Sequence, residues 1–136
     1  MAAEDDVRAA SATFYAALNS AVNGDPAPIA AICSQGADAA TMHPIGGRQV
    51  GWEEVWATWR LVASVASAGK VVLADQVIRV MGEVAFELGT EHAAMTVGGQ
   101  SMRAEVRVTN IYRREGGAWK LVHHHTDAAP AMQVPG

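Results

Sequence analysis

The second half of the chain limits its fold most. After Gly69 the sequence becomes a series of β-branched and apolar runs, 71–80, 84–97, 102–114 and 119–127, separated by glycine turns at Gly82, Gly98-Gly99 and Gly116-Gly117. Four long strands in succession predict an antiparallel meander. The segments before it have a helical period. Val7, Ala10, Phe14, Leu18, Ala21 and Val22 recur at three- and four-residue steps behind Glu4, Asp5 and Asp6, predicting a helix over 4–22. Asn23-Gly24 closes it, and Asp25-Pro26 starts a short helix through Ile29 and Ile32 that Gly36 ends. Residues 39–44 form only a short strand carrying His43, because Pro44 and Gly46-Gly47 interrupt any further ladder. Residues 51–66 read as a third helix whose Trp52, Val55, Trp56, Trp59, Val62 and Ala66 make a broad apolar face. Three helices followed by a meander predict an α+β domain, in which a strongly curved sheet wraps the helices and leaves a conical cavity.

At 136 residues, half of them hydrophobic, the chain has material for one core over 1–127, with 128–136 as a mobile, proline-containing tail. The net charge of −4 and the scattered basic residues argue against a nucleic-acid partner. The single cysteine, Cys33, excludes an intrachain disulfide and a cysteine-based zinc site, and suits a reducing compartment. The acidic start and the lack of a long apolar run argue against export or membrane association, so a cytoplasmic protein is expected. No glycine-rich phosphate loop, serine elbow or dinucleotide fingerprint is present, and no cofactor is expected.

Strand alternation predicts which residues face the cavity. In 102–114 the even positions Ala104, Val106, Val108, Asn110 and Tyr112 point inward. The odd positions Arg103, Glu105, Arg107 and Arg113 point outward, where Glu87, Glu91 and Glu105 are the expected partners of the arginines. In 84–97 the apolar Val84, Phe86 and Leu88 carry His92 inward, unless a bulge at Gly89 brings Glu91 in instead. In 119–127 alternation does not choose between Trp119, Leu121, His123 and His125 on one face and Lys120, Val122, His124 and Thr126 on the other.

The run Thr41-Met42-His43-Pro44-Ile45-Gly46-Gly47-Arg48, the helix start Gly51-Trp52-Glu53, and the closing stretch from Arg107-Val108-Thr109-Asn110 to His123-His124-His125-Thr126-Asp127 resemble a SnoaL-like domain. That group lies in the nuclear-transport-factor-like superfamily, with ketosteroid isomerase, scytalone dehydratase and the kinase association domain. The resemblance covers residues 7–127 and implies a cone-shaped, cystatin-like roll that pairs as a homodimer through its open sheet faces. It sets Val122, His124 and Thr126 toward the pocket and His123 and His125 away from it. It also puts Val108 where the isomerase keeps a protonated aspartate, which argues against steroid isomerisation by that mechanism.

His43, His124 and Asn110 are therefore the catalytic candidates: an imidazole titrates near neutral pH, and an amide can steady a developing oxyanion. His43 can equally serve only to hold the Gly46-Gly47 turn. Trp52, Trp56, Val108, Tyr112, Val122 and His92 are candidate ligand contacts. The run His123-His124-His125 invites a metal, but spacing fixes no third ligand, so none is expected. The expected function is a pocket for a small carbonyl or polyketide-like molecule, as a cofactor-independent isomerase, dehydratase or cyclase. The alternative is a binding or dimeric interaction module without chemistry.

Overall fold

The computed structural model describes residues 2–44 and 46–128; the segment 129–136 of the expected tail lies outside the described residues. The elements run α1 (Ala2–Ala21), α2 (Ala27–Ile32), β1 (Ala40–His43), β2 (Gly46–Val50), α3 (Trp52–Val65), β3 (Ala66–Met81), β4 (Val84–Val97), β5 (Gln100–Glu115) and β6 (Ala118–Ala128). One six-stranded sheet has the order β2-β1-β6-β5-β4-β3. Its last four strands form the expected meander, while β1 joins β6 in parallel. Beyond the short strand expected over 39–44, β2 completes a hairpin with β1. Pro44 thus lies in its turn and Gly46-Gly47 begin β2, with Gly46 paired to His43, instead of ending the ladder; β2 is an edge strand, where a broken ladder costs least.

α1 buries Val7, Phe14, Leu18 and Ala21 against the sheet, which the acidic first turn and the apolar period prepare it to do. Beside that apolar stripe runs a polar one with a four-residue step. Two of its members complete the open edge of β3. Asn19 donates through Nδ2 to the Val71 carbonyl and accepts from the Val71 N–H, at 2.9 and 2.8 Å. Asn23 does the same at Gly69, at 2.8 and 3.0 Å. Backbone groups that a further strand would have paired are satisfied by side-chain amides. Gly69 permits this approach, because a Cβ there would stand 2.5 Å from Val22 Cγ2 and 2.7 Å from the Val22 carbonyl oxygen.

The inner face of β5 is the one alternation selects, with Val106, Val108, Asn110 and Tyr112 buried. On β4 the expectation is reversed: Ala85, Glu87 and Glu91 are buried, whereas Leu88 and His92 are exposed. No bulge is needed at Gly89, since β4 pairs with β5 without interruption and Glu87 and Glu91 share one face. Hydrophobicity misjudges this strand because both acids are buried with hydrogen-bond partners. Neither is available to the outward arginines. Arg107 instead makes a two-pronged pair with Asp127, and Arg113 pairs with Asp38 and Glu115.

The irregularity falls in β6. Ile111 pairs with His123 but Tyr112 with Leu121, so Val122 is the extra residue of a bulge. Before it, Trp119 and Leu121 point inward; after it, His124 and Thr126 do. Each of the two faces that alternation offered is therefore right for half of the strand. A further irregularity, between Ala74 and Val77 of β3, accompanies the turning of Gln76 onto buried Glu87 of β4.

Candidate functional site

Between α1, α3 and the concave side of the sheet lies a cavity of about 190 Å³. Its wall is apolar apart from four side chains, His43 of β1, Glu91 of β4, and His124 and Thr126 of β6. The two imidazoles lie 5.9 Å apart, and Trp59 of α3 meets both, edge-on to His43 at 5.0 Å and tilted to His124 at 5.7 Å. Phe14 closes the other side of His124 at 5.1 Å. His124 Nε2 is 4.0 Å from Glu91 Oε2.

Behind this wall a hydrogen-bond network fixes the polar groups. Glu87, fully buried, accepts from Ser11 and Gln76 at one oxygen, both at 2.6 Å. Its other oxygen accepts from Asn110 Nδ2 at 3.0 Å and the Tyr112 hydroxyl at 2.8 Å. Asn110 Nδ2 also donates to the Tyr15 hydroxyl at 3.0 Å, and Tyr15 in turn donates to Glu91 Oε2 at 2.8 Å. With its amide hydrogens committed to these acceptors, Asn110 presents Oδ1 to His124 Nδ1 at 2.6 Å. That oxygen can only accept, so Nδ1 of His124 carries a hydrogen and Nε2 of the neutral ring keeps its lone pair.

Burial sets the titration of the wall. It raises the Glu91 carboxyl to about 7, with Glu87 nearby adding to the rise and the Tyr15 hydrogen bond opposing it. It lowers the His43 imidazole to about 4. His124 is held well below the ordinary histidine range, by burial first and by the neighbouring histidines second. Near neutral pH the cavity thus contains two uncharged imidazoles and one carboxyl divided between its two forms. Two ring nitrogens of the wall residues, His43 Nε2 and Trp59 Nε1, are buried with no partner among the described residues.

Of the residues singled out from the sequence, His43 and His124 come together on the cavity wall. Asn110 lies one layer behind, where it orients His124 and does not reach the cavity. Tyr112 is spent on Glu87, and Val108 is buried on the inner face outside the cavity wall. Trp52 and Trp56 stack on each other at 5.4 Å beside the core, and the tryptophan that lines the cavity is Trp59. Val122 is lifted off the inner face by the β6 bulge. His92 stands exposed on the opposite face, 3.9 Å from Glu105; an open depression there gathers solvated Lys70, Arg103 and Glu105. Glu91 is the cavity group that the sequence left as an alternative. Its signal is the pair Glu87 and Glu91 at even spacing within an otherwise apolar strand. Among the described residues no three histidine, cysteine or acidic side chains gather to hold a metal ion, and no helix is long and apolar enough to cross a membrane.

A helix-backed cone of mixed sheet around a small apolar cavity defines a cystatin-like α+β roll of the NTF2-like superfamily. Solved structures agree. A protein from Streptomyces avermitilis, described provisionally as an NTF2-like dehydratase, superposes with a TM-score of 0.85 at 25% identity, over 96% of this chain and 98% of that one. An NTF2-like protein from Salmonella enterica gives 0.85 at 18% identity, over 96% and 94%. A cystatin-like protein from Caulobacter vibrioides gives 0.77 at 21%, over 93% and 89%. The SnoaL-like domain family matches residues 7–131, and the chain belongs to it. No curated protein matches the sequence.

Proposed function

We propose that the protein is a cofactor-independent acid–base catalyst for a small organic molecule, of the isomerase, dehydratase or cyclase kind, with Glu91 as the acid and His124 as the base. The observation that carries this reading is the buried pair itself: a carboxyl poised at about 7 beside an imidazole whose unprotonated Nε2 is 4.0 Å away, in an apolar cavity. Nε2 of His124 removes a proton from carbon next to a carbonyl, while the Glu91 carboxyl gives its proton to the carbonyl oxygen or to a departing hydroxyl. The pair is then left as imidazolium and carboxylate. For an eliminated hydroxyl, proton return from His124 to Glu91 restores the starting forms with water as the second product. For an enol, the same two groups reverse their roles at another carbon. The likeness to a protein described as a dehydratase supports this class.

The test needs no prior substrate. The protein is incubated in D₂O with a panel of cyclic ketones and hydroxyketones, and deuterium uptake and water loss are followed by NMR. Uptake above the buffer rate that Glu91→Gln removes is expected. Ligands that saturate the cavity without exchanging would refute catalysis and leave a binding module.

We also infer a homodimer through the convex face of the sheet. Its register lines up Val77, Leu88, Thr109 and His125 in one row and Arg79, Phe86, Ile111 and His123 in the next, and Leu88, Val77 and Val72 of this sheet are exposed. Light scattering should give twice the 14.3 kDa of one chain; a single-chain mass refutes it. A cytoplasmic location accords with the one free thiol, Cys33.

A further inference from the structure

The cavity's hydrogen-bonding polarity restricts what can enter it. His124 Nε2 has a lone pair to fill, because its Nδ1 hydrogen is committed to Asn110. Among the described residues, Trp59 Nε1 has a hydrogen to give and no acceptor, and His43 Nε2 is likewise unpartnered. A buried polar atom left without a partner is costly, so a ligand that supplies both a donor and an acceptor gains what the empty wall lacks. Charge restricts it further. Among the described residues no lysine or arginine lines the cavity, and its only ionisable neighbours are two desolvated imidazoles and a carboxyl. An anion would enter an apolar space opposite Glu91 with no cation to receive it. Size supplies the third limit, since about 190 Å³ is close to the ~150 Å³ cavity that accepts benzene in an engineered protein core.

We propose that the cavity takes an uncharged ligand about one ring in size that carries both a hydroxyl and a carbonyl oxygen. The hydroxyl donates to Nε2 of His124, and the oxygen accepts from the Trp59 indole or from protonated Glu91. Carboxylates and phosphates of the same size are turned away. This rests on the same cavity as the acid–base reading, but it concerns the resting complex, in which the hydroxyl occupies Nε2 of His124; turnover would need the ring to shift so that the α-carbon replaces the hydroxyl there.

Four probes on one ring separate the contributions: 3-hydroxycyclohexanone, cyclohexanone, cyclohexanecarboxylate and cyclohexyl phosphate. They are titrated into the full chain at pH 6, with the imidazole ¹⁵N resonances and the melting temperature as readouts. 3-Hydroxycyclohexanone should bind about three- to tenfold more tightly than cyclohexanone, the increment of one buried hydrogen bond, and should move the Nε2 resonance of His124. The two anions should produce no shift. In His124→Phe, which keeps a ring and loses the acceptor, the two neutral probes should bind alike. The proposal is overturned if the carboxylate or phosphate matches the hydroxyketone, if the hydroxyl adds nothing in the native protein, if His124→Phe keeps the preference, or if no probe binds. Binding in the expected order without deuterium uptake by any bound ketone leaves this ligand class standing and removes the catalytic reading. Deuterium uptake by a ketone that fails the expected order does the reverse.

Discussion

Replacing Glu91 with glutamine should stabilise the protein, and increasingly so as pH rises. In the unfolded chain this carboxyl titrates near 4.5, and in the native protein near 7. Between those values the native state holds a proton that the unfolded state has released, so stability falls with rising pH, by about 1.4 kcal/mol per pH unit. The shift is therefore worth about 3 kcal/mol once pH exceeds 7, and about 1 kcal/mol at pH 5, where only the unfolded carboxyl has largely ionised. Glutamine keeps the shape and can still accept the Tyr15 hydrogen bond, but it has nothing to ionise. The stability gap between variant and native protein should thus grow from about 1 kcal/mol at pH 5 to about 3 kcal/mol at pH 8. His43 acts in the other direction: depressed to about 4, it withholds a proton that the unfolded histidine takes, so its contribution is lost as pH falls below 6.5. That loss is common to both proteins and cancels in the difference. Urea unfolding followed by tryptophan fluorescence, with the slope m unchanged, measures the gap at each pH. A gap independent of pH, or a variant less stable than the native protein at pH 8, would refute the assignment of Glu91 as a desolvated carboxyl.

Three further perturbations test the scaffold behind it. Glu87→Ala strands the buried donors of Ser11, Asn110 and Tyr112 and should cost about 3 kcal/mol or more in chemical denaturation; a loss below about 1 kcal/mol would mean that water or rearrangement satisfies them. Gly69→Ala drives a Cβ into Val22 and should cost about 2 kcal/mol, whereas Gly36→Ala, with open space around it, should leave the melting temperature within a degree or two; equal effects would contradict the close approach of α1 to β3. Tyr15→Phe removes the hydrogen bond that lowers Glu91, so the carboxyl, read by ¹³C NMR titration, should move further up. A downward shift would show that Tyr15 is not its donor.

The fold was legible wherever burial follows hydrophobicity, and the site was hidden where it does not. The apolar stripe of α1, the glycine turns of the meander and the inner face of β5 all obey simple periods. On β4 the rule that puts Phe86 and Leu88 inside fails, because Glu87 and Glu91 are buried by donors from other elements, which no property of β4 alone reveals. On β6 one extra residue, Val122, exchanges the faces midway. Alternation cannot locate such a bulge without the partner strand, although the resemblance sets His124 toward the pocket, and it is buried there. The β1–β2 hairpin escaped because Pro44 and Gly46-Gly47 read as breakers from sequence, the usual ambiguity of Pro and Gly next to a short strand.

One pattern in the sequence does point to the site, and it lies on the helix. Ser11, Tyr15, Asn19 and Asn23 stand four residues apart, which places the first three on a single stripe of α1 and Asn23 in line with them on the turn that follows. Such a stripe beside an apolar one is ordinarily read as the solvent side. Here each member reaches the sheet: Ser11 to Glu87, Tyr15 to Glu91, Asn19 to the backbone of Val71, and Asn23 to the backbone of Gly69. The lower pair seals the free edge of β3, and the upper pair supplies donors to two acids that otherwise could not be buried. Edge closure and acid burial thus have one cause, the docking of α1 at a fixed height along β3. A slip of the helix by one turn would unseal the edge and leave Glu87 and Glu91 short of donors at the same time. The position of Glu91 relative to His124 is consequently held by the contacts that hold the fold together, and the rigidity that the proposed acid–base pair needs is built into α1 rather than into a loop.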